Sequence, residues 1–209
     1  MPIRVILVDD HPLVLTGLEQ VLHSEPDFEV LATCETADDG LRAVAALQPD
    51  VLVLDLKLRD VNGLDVLRQL DANKRPAVVV LIATHDETEL LDAARLGARG
   101  IVLKAMAPRV LEDCIRMVHA GGQQLNVGGV DLSKRLAERQ TAETELAKLL
   151  TPRELEIVRL VAARFDNQEI AARLSISVGT VKIHLHHIYD KLQLGGRHDL
   201  QLYLRNKQY

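Results

Sequence analysis

Ile3-Arg4-Val5-Ile6-Leu7-Val8-Asp9-Asp10 is a strand-like apolar run that ends in two carboxylates. The pattern returns twice: Val51-Leu52-Val53-Leu54 runs into Asp55, and Ile101-Val102-Leu103 runs into Lys104. Short, continuous runs rich in Val, Leu and Ile suit parallel strands covered on both faces. In an open parallel sheet, ligands lie outside the carboxyl ends of the strands. The three carboxylates and one ammonium at these strand ends are therefore expected to converge on one site. Such a set suits a divalent metal and a phosphoryl group.

Two further strand-like runs lie at 28–33 and 78–82, and the third quoted run extends over 100–103. Helical patterns fall between them at 13–22, 37–47, 63–70, 87–96 and 110–118. Five βα units make a doubly wound α/β domain with a five-stranded parallel sheet. Gly121-Gly122 closes the last helix and Gly128-Gly129 follows, which places this domain at 1–120 and a linker at 121–148. Residues 132–150 form a polar, helix-prone stretch with no clear apolar face, read as a linker helix with a mobile start.

From residue 149 the pattern changes to helix starts alone. Thr151-Pro152-Arg153-Glu154 offers an N-cap hydroxyl, a proline at the first helical position and a glutamate three residues on. Asp166-Asn167-Gln168-Glu169 repeats the capping logic, and Ser177 caps a third helix with Thr180 at its third position. A fourth helix begins near Arg197. Residues 149–209 thus read as an all-α four-helix domain.

At 209 residues the chain has room for two small domains, each with its own core. Hydrophobic residues make up 47% but aromatics only 2%, so the cores are built from Leu, Val, Ile and Ala. No apolar run approaches a membrane span and the first residues show no signal peptide, so a cytoplasmic protein with no membrane partner is expected. Cys34 and Cys114 carry no motif spacing and are expected as free thiols. The net charge of −5 is unevenly spread: residues 1–130 hold 12 Lys/Arg against 20 Asp/Glu, whereas 148–209 hold 10 against 6. A basic end containing four of the eight His suggests a polyanionic partner, although ordinary charge variation would also give it.

Asp55 is the candidate nucleophile, since a carboxylate can attack phosphorus and become an aspartyl phosphate. Asp9 and Asp10, with Asp55, supply hard oxygens for Mg2+. Lys104 supplies a point charge for a phosphoryl oxygen, and phosphoryl transfer needs little beyond positioning and neutralisation. A single Asp at a strand end is ordinarily a helix cap or turn residue; four charges at three strand ends are harder to assign to capping. A phosphohydrolase would use a similar cluster, but Lys57 stands two residues past Asp55, where its acid/base carboxylate would be. The chain reads as a switch and not as an enzyme.

In the helix after Ser177, Val181, Leu185, Ile188 and Leu192 mark the buried face. Gly179, Ile183, His186 and Asp190 share the opposite face, flanked by Lys182 and His187. Such a helix would enter a major groove, with Lys182 and the first N–H groups on phosphates and Ile183 on a thymine methyl. The same pattern also describes an amphipathic surface helix with a solvated face.

Residues 1–120 resemble a response-regulator receiver domain. The resemblance rests on Val8-Asp9-Asp10-His11-Pro12, Asp50-Val51-Leu52-Val53-Leu54-Asp55-Leu56, Asn62-Gly63-Leu64 and Gly97-Ala98-Arg99-Gly100-Ile101-Val102-Leu103-Lys104. It implies a flavodoxin-like sheet of strand order 2-1-3-4-5, phosphorylation of Asp55 by a partner histidine kinase, Mg2+ on Asp10 assisted by Asp9, and a phosphate contact from Lys104. Residues ~149–206 resemble the LuxR-type helix-turn-helix through Leu150-Thr151-Pro152-Arg153-Glu154, Asn167-Gln168-Glu169-Ile170-Ala171, the run from Leu174 to His184, and Ile188-Tyr189-Asp190-Lys191-Leu192 with Arg197. This implies a DNA-binding set of Ser177, Gly179, Thr180, Lys182, Ile183, His186, His187 and Lys191, on a homodimer paired through the last helix over a two-part promoter site. Together the halves resemble the NarL/FixJ class of response regulators. In the second half Arg164 and Gln168 stand where that family has Gly and Lys, and two positions of the receiver half also depart from the pattern. Ile82 stands where the family has Thr or Ser, with Thr84 two residues later as a candidate switch hydroxyl; Ile101 stands where it has Tyr or Phe. They motivate a second reading, a DNA-binding regulator with little dependence on phosphorylation.

Overall fold

The structure, a computed structural model, describes residues 1–59, 61–70, 76–84, 86–106 and 108–207. The chain divides into two compact units, Met1–Ser133 and Lys134–Tyr209.

The first unit alternates β1 (Ile3–Val8), α1 (Pro12–His23), β2 (Phe28–Cys34), α2 (Ala37–Leu47), β3 (Val51–Asp55), α3 (Gly63–Gln69), β4 (Ala77–Ile82), α4 (Glu87–Arg95), β5 (Ala98–Leu103) and α5 (Pro108–His119). All strand pairs are parallel and the order is β2-β1-β3-β4-β5, as the flavodoxin-like expectation requires. The alternation of side chains along each strand explains why the runs are apolar throughout. Ile6, Val8, Leu52, Leu54, Val78, Val80 and Ile101 fill a core shared with Ala37 and Val44 of α2, Leu64 and Leu67 of α3, and Leu90 of α4. Val5, Leu7, Val51, Val53, Val79, Leu81 and Val102 fill the opposite core, with Leu15 and Leu22 of α1 and Leu111, Ile115 and Val118 of α5. Cys34 and Cys114 are both free and buried, one in each of these cores.

After α5 comes a hairpin, β6 (Asn126–Val127) and β7 (Val130–Asp131), paired antiparallel. Its turn is Gly128-Gly129, with φ of 59° and 85°. Both glycines adopt the left-handed conformation that a two-residue hairpin favours, so they form a turn. Leu125, Val127 and Leu132 are buried in the core of the first unit.

The second unit holds most of α6 (Leu132–Leu149), then α7 (Pro152–Ala162), α8 (Asn167–Leu174), α9 (Val178–Leu192) and α10 (Arg197–Asn206). The expected caps form. Thr151 and Glu154 make a reciprocal capping box on α7, as do Asp166 and Glu169 on α8. Ser177 Oγ accepts the Thr180 N–H at 3.0 Å and starts α9. Ile157, Val158, Val161, Ile170, Val181, Leu185, Ile188, Leu200 and Leu204 form the core, with Tyr189 and Tyr203 packed at its rim. α6 does have an apolar stripe: Ala142 and Leu146, continued by Leu150, are buried. No helix among the described residues is long and apolar enough to cross a membrane.

Candidate functional site

The parallel register brings the ends of β1, β3 and β5 to one edge, and the expected charges meet there. Asp9, Asp10 and Asp55 are all buried. Lys104 Nζ lies 2.6 Å from Asp9 Oδ2 and 2.8 Å from Asp55 Oδ2. Burial works against the Lys104 charge, but the Asp55 and Asp9 carboxylates outweigh it and hold the ammonium above its ordinary value. The second Asp55 oxygen, Oδ1, accepts the Lys57 backbone N–H at 3.1 Å, which fixes the carboxylate at the strand end.

Close backbone packing shapes the loop after Asp55. Gly63 donates its N–H to the Leu56 carbonyl at 2.8 Å. A Cβ there would sit 2.6 Å from the Asp55 carbonyl oxygen and 2.7 Å from Leu56 Cα. The expected Asn62 is the N-cap of α3, its Oδ1 accepting the Leu64 N–H at 2.8 Å.

Two further side chains, an imidazole and a guanidinium, reach the pocket without having been flagged by spacing. His11 Nδ1 lies 3.0 Å from Asp9 Oδ1 and 2.7 Å from Asp10 Oδ1, and Arg59 Nε lies 3.1 Å from Asp10 Oδ2. His11 could have been suspected as the first residue after the acidic pair. Nothing in the pattern marks Arg59, which sits in a loop with no period.

These donors suit a hard divalent cation. One ligand atom from each of Asp9, Asp10, His11 and Asp55 lies within 4.8 Å of the others. Asp9 Oδ2 and Asp10 Oδ1 are buried, the first 2.6 Å from the Lys104 ammonium and the second 2.7 Å from His11 Nδ1. Carboxylates gathered and buried in this way are costly unless cations or donors neutralise them. Carboxylate oxygens at partial coordination match the preference of Mg2+ for a few carboxylates completed by water or phosphate.

Thr84 is exposed, and among the described residues no hydrogen bond joins it to this pocket. Ile82, at the end of β4, and Ile101, within β5, are buried at 3% and 2% exposure, so both departures from the family pattern are aliphatic packing positions.

In the second unit α8, the turn around Ile176 and α9 form a helix-turn-helix. Ser175 ends α8 in the left-handed conformation, φ 53°. Val181, Leu185 and Ile188 are buried, which turns Gly179, Lys182, Ile183, His186 and His187 outward. Ile183 is 59% exposed, an unusual position for a large aliphatic side chain. Thr180 Oγ1 is 2.8 Å from Ser177 Oγ, so these two cap the helix as well as facing its N-terminal end. His186 Nε2 is 3.6 Å from Asp190 Oδ2. Lys191 is engaged inside the unit: its Nζ lies 2.7 Å from the buried Glu154 Oε2. The Lys191 and Thr151 donors outweigh the effect of burial on Glu154 and hold its carboxyl below the usual range.

Comparison with known proteins matches both halves. Residues 5–116 match the response regulator receiver domain, and residues 148–204 match the bacterial regulatory proteins of the luxR family. The nitrate/nitrite response regulator protein NarL of Escherichia coli is 32% identical, over 99% of this chain and 97% of the relative. The crystal structure of response regulator ChrA of a heme-sensing two-component system is 30% identical, covering 99% of this chain and 98% of that one, with a TM-score of 0.53. The RcsB response regulator in complex with DNA is 25% identical, covering 98% of each chain, with a TM-score of 0.58.

Proposed function

Since the chain belongs to the NarL/FixJ-class two-component response regulators, which join a receiver domain to a LuxR-type DNA-binding domain, we propose that phosphorylation of Asp55 by a partner histidine kinase controls how its second unit binds promoter DNA. The domains are assigned as receiver 1–120, linker 121–148 and DNA-binding domain 149–209. The observation that carries the reading is the meeting of Asp9, Asp10, Asp55 and Lys104 at one sheet edge, with contacts of 2.6 and 2.8 Å.

In the proposed chemistry an Asp55 oxygen forms the new O–P bond as the N–P bond of the kinase phosphohistidine breaks, and the electron pair returns to the imidazole. Lys104, now paired with Asp9 and Asp55, would turn to a phosphoryl oxygen. Asp10 and Asp55, assisted by Asp9, would hold Mg2+, which when bound neutralises charge on the transferred group. Asp55 exchanges one negative charge for roughly two. This added charge shifts a two-state equilibrium of the receiver toward the form that frees or pairs the second unit. Thr84 is kept as a candidate hydroxyl for the phosphorylated state.

The face of α9 that carries Ser177, Gly179, Thr180, Lys182, Ile183, His186 and His187 is assigned to the major groove, with α8 across the backbone. Lys191 is the eighth residue of that set and reaches DNA only by leaving Glu154. Two copies would pair on DNA through α10. The protein is placed in the cytoplasm, without catalytic turnover of its own.

The deciding experiment maps bound DNA genome-wide for wild type and Asp55→Asn, alongside labelling by acetyl phosphate. Wild type takes label and gains affinity, whereas Asp55→Asn does neither. Full label on Asp55→Asn would refute the acceptor assignment. Equal DNA binding with and without label would establish the phosphorylation-independent reading.

A further inference from the structure

The countercharges of the acidic pocket are unevenly shared. Lys104 serves Asp9 and Asp55 together and contacts no oxygen of Asp10. Asp10 is held by residues from outside the sheet, His11 on Oδ1 and Arg59 on Oδ2. Asp10 itself is 7% exposed, whereas the Arg59 side chain is 76% exposed. A buried carboxylate is thus neutralised by the tip of a long, solvated, flexible arm.

From this geometry, and resting on the reading of Asp10 as a metal ligand, we infer that Arg59 is a tethered cation occupying the divalent-metal position at Asp10, and that metal binds only as Arg59 moves off. The physical reason is direct competition. A Mg2+ ion needs carboxylate oxygens at about 2.1 Å and a nearly complete octahedral shell, largely of water. A guanidinium nitrogen 3.1 Å from Asp10 Oδ2 lies where that shell would form. Two cations on one carboxylate also repel. Arg59 loses little by leaving, because its exposed head regains water. Arg59 therefore adds a second positive charge, beside Lys104, against the three carboxylates, and metal affinity is set below what they would give alone.

Lys57 supplies the control. It lies on the same loop, but its Nζ faces Glu89 Oε2 at 4.0 Å and contacts no pocket carboxylate. Removing its charge tests general electrostatics without freeing Asp10.

The test is calorimetric titration of MgCl2 into the metal-stripped full chain, for wild type, Arg59→Ala, Arg59→Lys and Lys57→Ala, each first shown by its melting curve to be folded. Arg59→Ala is expected to bind Mg2+ about two- to five-fold tighter, the worth of one exposed ion pair. Arg59→Lys keeps the charge and is expected within about two-fold of wild type, as is Lys57→Ala. Unchanged affinity in Arg59→Ala overturns the inference, and so does equal tightening in Arg59→Ala and Lys57→Ala. Absence of Mg2+ binding in wild type would instead remove the metal reading itself.

Discussion

Glu154 Oε2 accepts three donors at once: Lys191 Nζ at 2.7 Å, the Thr151 N–H at 2.7 Å and the Thr151 hydroxyl at 2.9 Å. One oxygen therefore ties the start of α7 to the last turn of α9. Lys191→Met removes one donor and leaves a buried charge under-satisfied. It is expected to destabilise the second unit by about 1–2 kcal/mol, seen as a lower melting temperature without DNA. A variant that melts like wild type but loses DNA affinity would put Lys191 on the nucleic acid instead.

The same carboxylate gives a pH dependence. Burial raises the Glu154 pKa, but its three donors outweigh that and leave it below the ordinary value of 4.5. Its folded pKa is thus lower than its unfolded one. The stabilisation is present above the unfolded value and lost as pH falls through the folded value. Denaturant melts between about pH 6 and pH 3 should show the second unit weakening on the acid side. In Glu154→Gln that slope should be shallower and the neutral-pH stability lower; an equal slope would move the titration to another group.

Metal should stabilise the first unit by mass action. At Mg2+ tenfold above its dissociation constant, stability should rise by about 1.4 kcal/mol, and scanning calorimetry should show only the first unit shifting. Asp10→Ala should abolish the shift. Persistence of the full shift in Asp10→Ala would place the ion elsewhere.

Gly63 has no room for a side chain, its would-be Cβ meeting the Asp55 carbonyl oxygen at 2.6 Å. Gly63→Ala must move the loop that begins at Asp55. It should cost about 1–3 kcal/mol and slow labelling of Asp55. Wild-type labelling and stability together would show that the loop relaxes freely.

On α9, Lys182 and Ile183 are adjacent and both exposed, yet they should fail differently. Lys182→Ala should reduce the salt slope of DNA binding by about 1, since one phosphate contact releases about one counterion. Ile183→Ala should weaken binding at selected sequences and leave the slope unchanged. Identical salt slopes for wild type and Lys182→Ala would remove that phosphate contact.

The pocket was legible because each of its main residues ends an apolar run, and parallel register carries strand ends to a common edge. The caps were legible because Thr151, Asp166 and Ser177 act within three residues of themselves. Remote contacts that do not lie at strand ends were not. Glu154 and Lys191 are 37 residues apart, and no period links them. The hairpin at Asn126–Val127 and Val130–Asp131 is too short to show alternation, so its two glycines read as a domain boundary. The apolar stripe of α6 was hidden because Leu132 belongs to one core and Leu146 to another. No single face runs the length of the helix.

Tyr189 and Tyr203 sit at the rim of the second core, and the chain contains no tryptophan and only one other tyrosine, Tyr209. Every ultraviolet-emitting side chain of any strength therefore lies on the DNA-binding side of the molecule. Intrinsic fluorescence will follow that half and stay blind to the phosphoryl-accepting half. A tryptophan placed in the receiver would give each half its own optical signal.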